Sequence, residues 1–124
     1  MATYKETISK AEDPFLDALT ALEDVIAENN KRATLIKKRM ARIRRARAAG
    51  LPYSATFENE DGPLIVQLLT ESSAALHTSG ANVRRAEAQA LHDEGMTMDQ
   101  IASHFGVTRQ RVSALLRKSS EQDE

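Results

Sequence analysis

The chain has 124 residues and a formal net charge of −1, which leaves room for one small domain or for a short module carrying an oligomerising arm. It has no cysteine, which excludes disulfides, thiolate metal sites and a cysteine nucleophile, and no run approaches the roughly 18 apolar residues of a membrane span. Aromatic residues are only 4% and Ala, Leu, Glu, Arg and Lys are abundant, so the expected fold is all-α: a long N-terminal coiled-coil-like helix followed by a small helical domain ending in a helix-turn-helix.

The near-neutral total is a cancellation between segments. Residues 1–30 carry −5, 31–49 carry +9, 50–80 carry −4, 81–118 carry +2 and 119–124 carry −3. Residues 1–12 read as a flexible N-terminus and lack the basic-then-apolar pattern of a signal sequence, so a cytoplasmic protein is expected.

Asp13 is placed to cap a helix that Pro14 opens, and Gly50 with Pro52 closes it, giving a long amphipathic segment over 13–50. Within it Phe15, Leu19, Leu22, Ile26, Asn29, Ala33, Ile36, Met40 and Ile43 recur at alternating spacings of four and three. Such a heptad seam needs another helix along its length, and these positions other than Ala33 are the expected dimerisation surface. Two arrangements satisfy the charge switch at Asn29 and Asn30. A continuous helix can pair antiparallel with a second chain, or a turn at the asparagines can fold one chain into a hairpin. The seam crosses the asparagines without a phase shift, which favours the continuous helix. The run KRATLIKKRMARIRRAR, residues 31–47, holds nine cations that serve either as solvated flanks of the coiled coil or as phosphate contacts.

Residues 51–62, LPYSATFENEDG, read as a linker. The helical domain spans 63–118. Pro63 opens an apolar stripe through LIVQLL that suits core packing or a partner, Ser79-Gly80 is expected to break or kink it, and a further helix over 82–94 ends at Gly95.

In TMDQIASHFGVTRQRVSALLRK, residues 97–118, Thr97 and Gln100 form a capping box for a helix from Met98 to Phe105. Ile101, Ala102 and Phe105 supply its buried face, Gly106 takes the turn, Val107 plugs the angle, and Thr108 caps a second helix buried through Val112, Leu115 and Leu116. Facing outward on the second helix are Thr108, Arg109, Gln110, Ser113, Ala114 and Arg117, with Arg111 and Lys118 at the edges, and no acid falls between Phe105 and Lys118. Those side chains suit a major groove: arginine donates twice to guanine, glutamine pairs with the adenine edge, and small residues admit a thymine methyl.

The pattern Gly95, apolar, Thr97, then Ile101-Ala102, then Phe105-Gly106-Val107-Thr108-Arg109 and Arg111-Val112 resembles the helix-turn-helix of bacterial sigma factor region 4 and of small bacterial transcriptional regulators, over residues ~85–118. The resemblance implies that the second helix enters the major groove, with Arg109, Gln110 and Arg111 at its base-reading end and Thr97 and Thr108 on the backbone. Sigma region 4 usually carries Glu where Gln110 stands, so its promoter preference does not transfer, and the long N-terminal helix is unlike a sigma factor. Residues 119–124 read as a disordered acidic tail.

His77, His92 and His104 share no helix face at metal-ligand spacing, and no catalytic constellation stands out, so neither an enzyme nor a cofactor is expected. The expected function is a homodimeric, sequence-specific transcriptional regulator on double-stranded DNA, reading an inverted repeat and located at the nucleoid. The rival readings are a phage or mobile-element accessory for DNA packaging or recombination, and an adaptor that contacts RNA polymerase or a sigma factor.

Overall fold

The computed structural model describes residues 13–58, 62 and 64–123, with side chains up to Lys118. The expected flexible segment 1–12, the helix opening at Pro63 and the side chains of the acidic tail lie outside the described residues. Those described form helices α1 Pro14–Ala48, α2 Tyr53–Glu58, α3 Ile65–Asp93, α4 Met98–Phe105 and α5 Arg109–Asp123, and no strand.

The start of α1 is set by Asp13, whose carboxylate accepts the amides of Phe15 and Leu16 at 3.1 Å each. The helix runs through Asn29 and Asn30 unbroken, so no turn forms there. It ends where Gly50 adopts φ 86° and the amides of Gly50 and Leu51 reach back to Arg47 and Ala46. Where the sequence suggested only a linker, α2 forms a short helix, held to the end of α1 by the Arg47 guanidinium 4.7 Å above the Tyr53 ring. Helix α3 crosses Ser79 and Gly80 without the expected break. One glycine costs a helix only about 1 kcal/mol, too little to interrupt 29 residues whose Ser79 is itself buried. Helix α5 likewise continues to Asp123, through positions expected to be disordered.

The chain divides into two compact units. In the first, residues 23–77, α1 and α3 lie antiparallel. Asn29 Nδ2 donates to the Ser72 carbonyl at 3.3 Å, Arg32 Nε sits 3.4 Å from the Glu71 carboxylate, and Ile43 shares a small apolar cleft with Leu64, Ile65 and Val66. The face of α1 turned inward combines the seam positions Asn29, Ile36 and Ile43 with Val25, Arg32 and Arg39, rather than with Ile26, Ala33 and Met40. Arg39 is 8% exposed, and a Cβ at Gly62, where φ is 85°, would lie 2.7 Å from its Nη2.

The second unit joins the described residues 13–22 with residues 78–123. Its core is Ala88 of α3, Ile101 and Ala102 of α4, and Val112 and Leu115 of α5, with Leu91, Met96, Met98, Phe105 and Leu116 packed around them. Ile101 and Val112 are fully buried, and side chains of that size each contribute about 1.5–3 kcal/mol on burial.

Candidate nucleic-acid interface

Two turns fix the last three helical segments. Gly95, at φ 101°, ends α3, and the Met96 amide reaches the Leu91 carbonyl at 3.1 Å. Two residues later Thr97 caps α4 reciprocally: its hydroxyl accepts the Gln100 amide at 3.1 Å, and the Gln100 side chain accepts the Thr97 amide at 2.9 Å. Gly106 closes α4 at φ 68° and ψ 35°, a left-handed conformation that suits glycine, and Thr108 opens α5 by accepting the Arg111 amide at 3.1 Å. Ala102, 7% exposed, lets α4 and α5 approach closely. Val107 does not plug the angle between them. It is 40% exposed, because Val112 and Leu115 already fill the space that the turn encloses.

With Val112 and Leu115 buried, α5 directs Gln110, Ser113, Ala114 and Arg117 to its opposite face, since these recur at steps of three, one and three. Arg109 lies on one flank of that face, and Arg111 and Lys118 on the other. Of the nine residues singled out from sequence, Thr97, Thr108, Arg109, Gln110, Arg111, Arg117 and Lys118 are exposed, while Ser113 and Ala114 are half-buried. Each threonine hydroxyl spends one lone pair on its cap and keeps its proton to donate elsewhere.

The field around α5 is not free of acid, as its own sequence suggested. Asp99 of α4 places a carboxylate oxygen 3.7 Å from Arg109 Nη1, and Glu87 of α3 lies beside Arg111 in a crevice of about 220 Å³ that Arg84, Phe105, Val107 and Leu115 also line. Glu87 also meets His104 Nε2 at 3.3 Å. Arg84, Glu87 and Asp99 were not among the sequence candidates, and nothing in their local sequence marks them, because the fold brings them to α5 from other helices.

The basic run of α1 divides into distinct environments. Arg39 is buried, Arg32 is half-buried against Glu71 and Asn29, and Lys31 pairs with Glu28 at 3.3 Å. Lys37, Lys38, Arg42, Arg44, Arg45 and Arg47 are exposed. Among the described residues no group of histidines and carboxylates is arranged to hold a metal ion, and no helix is long and apolar enough to cross a membrane.

Residues 81–123, about a third of the chain, match the family model of the homeodomain-like domain. No curated protein and no solved structure matches the chain. The match covers the end of α3, α4 and α5, the segments built around the two glycine turns, and is consistent with a helix-turn-helix module of the DNA-binding kind. It is to homeodomain-like domains at large and does not single out sigma region 4.

Proposed function

We propose that this protein is a sequence-specific, DNA-binding transcriptional regulator that acts as a dimer in the cytoplasm, with α5 as its recognition helix. The observation that carries the reading is the outward face of α5 within a module matched to homeodomain-like domains: Gln110, Ser113, Ala114 and Arg117, flanked by Arg109, Arg111 and Lys118. Laid in a major groove, Arg109 and Gln110 read base edges, since arginine donates twice to guanine, while the glutamine amide donates to adenine N7 and accepts from its N6 amino group. Ser113 and Ala114 are short enough for that face to approach the thymine methyls. Thr97 and Thr108 donate their free hydroxyl protons to phosphates on either side, and Arg111, Arg117 and Lys118 supply charge along the backbone.

One short recognition helix makes few base contacts. A second copy raises binding through effective concentration and makes the expected operator an inverted repeat. No catalytic step belongs to this reading.

The experiment is selection and sequencing of short genomic fragments retained by the full-length protein at about 0.15 M salt, where weak phosphate attraction is partly screened. An enriched inverted repeat is the expected result. Retention without any enriched sequence overturns the regulator reading and favours an accessory or polymerase-binding role.

A further inference from the structure

The antiparallel pair formed by α1 and α3 within residues 23–77 buries one stripe of each helix and leaves a second apolar line on each exposed. On α1, Ile26 and Met40 are 46% and 37% exposed, with the small, exposed Ala33 midway between them. On α3, Val66, Leu69 and Leu76 are 64%, 50% and 49% exposed. Ile26, Ala33 and Met40 lie about 100° around α1 from Arg32 and Arg39, and Leu69 and Leu76 lie as far around α3 from the inward Leu68 and Ala75. In antiparallel helices these rotations carry both lines to the same side of the pair, across from the Arg32–Glu71 contact. The result is one apolar face, with Ala33 and Leu69 level with each other near its middle. That level is set by the Asn29–Ser72 hydrogen bond.

We infer that a second copy of this chain covers this face, with the two α1 helices antiparallel and crossing at Ala33. This deepens the dimeric half of the proposed function and rests on it. The charge pattern beside the apolar line favours this arrangement. Glu23, Asn30, Lys37 and Arg44 follow one another seven residues apart along its outer edge. A two-fold axis just beyond Ala33 sets Glu23 of one chain against Arg44 of the other, Asn30 against Lys37, and Ile26 against Met40. A parallel pairing would instead set Lys37 on Lys37 and Arg44 on Arg44. Alanine at the crossing allows close approach, and Leu69 meets its own copy at the same level. Two helix pairs joined in this way form a four-helix bundle, which removes both apolar lines from water.

The test uses the natural absence of cysteine. In the full-length protein, Ala33→Cys should form a disulfide-linked dimer under mild oxidation, and Thr34→Cys, on the outer surface of α1, should not. Sedimentation should give twice the 13.7 kDa chain mass, shifting to monomer in the Ile26→Glu and Leu69→Glu double variant without loss of helical circular dichroism. Glu23→Arg alone and Arg44→Glu alone should each raise the dimer dissociation constant at least five-fold, and the two together should restore it. A monomeric wild-type chain, cross-linking through position 34 in preference to 33, or a failed restoration overturns the inference. A monomer that still selects one half-site overturns the interface and leaves the DNA reading intact. A dimer linked through position 33 that selects no sequence supports the interface and removes the DNA reading.

Discussion

The Asp99 carboxylate lies 3.7 Å from the Arg109 guanidinium, so the first residue of α5 is held by an acid from the helix before it. Both side chains are well exposed, at 74% and 64%, and such pairs are worth about 0.2–1 kcal/mol. The contact therefore orients Arg109 without committing it, and under the proposed function a phosphate or base edge would replace Asp99 as its partner.

Removing Arg109 is expected to cost more at a specific site than at random DNA. Arg109→Ala should weaken the selected duplex by about 1–3 kcal/mol and relax preference at one base position, with the thermal midpoint almost unchanged. Fluorescence anisotropy against the selected and a scrambled duplex checks this. Equal losses on both would reduce Arg109 to a phosphate contact.

Asp99→Asn is expected to act in the opposite direction. Losing the carboxylate releases Arg109 and removes a charge that repels phosphate, so affinity should rise by up to about five-fold, most clearly at low salt. The same change removes an acid from the first turn of α4, at a stability cost of about 0.3–1 kcal/mol. Affinity and thermal midpoint should therefore move in opposite directions, which a titration and a melt on the same sample will show.

Stability at the turn should depend on backbone conformation rather than space. A Cβ at Gly106 would meet nothing within 4 Å, yet its φ of 68° is one that side-chain-bearing residues resist. Gly106→Ala is expected to cost about 1–2 kcal/mol and Gly106→Asn clearly less, because asparagine tolerates the left-handed region. Thr97→Ala, which removes the capping hydroxyl, should cost about 1 kcal/mol. Denaturant midpoints for the three variants give the order.

The core and the outward face of α5 should separate cleanly. Val112→Ala opens a cavity beside Ile101 and should lose about 1–2.5 kcal/mol of stability. Gln110→Ala should leave stability within about 0.5 kcal/mol and lose sequence preference. If Gln110→Ala left the selected motif unchanged, the base-reading end of the helix would have to lie elsewhere.

What the sequence disclosed follows how local each signal is. The reciprocal Thr97–Gln100 cap, the left-handed Gly95 and Gly106, and the buried Ile101, Ala102 and Val112 are set within a few residues of chain, and all were readable there. The seven-residue period of α1 was readable too, but a period marks a stripe and not what lies on it. Asn29 turned out to face Ser72 of the same chain, and Arg39, counted among the solvated or phosphate-binding cations, turned inward against Gly62. The absence of acid between Phe105 and Lys118 did not extend to the surroundings of α5 for the same reason: Asp99 and Glu87 arrive from other helices. Helix α2 was hidden by its composition, since a proline and nearby acids read as a linker although Tyr53 finds a partner in Arg47.

The proposed function requires that α5 reads base edges. The most direct measurement is the change in backbone amide resonances of the full-length protein on adding the selected duplex at about 0.15 M salt. The largest shifts are expected at residues 108–118, with smaller ones near Thr97. Shifts confined to the basic residues 31–47, with 108–118 unmoved, would contradict it.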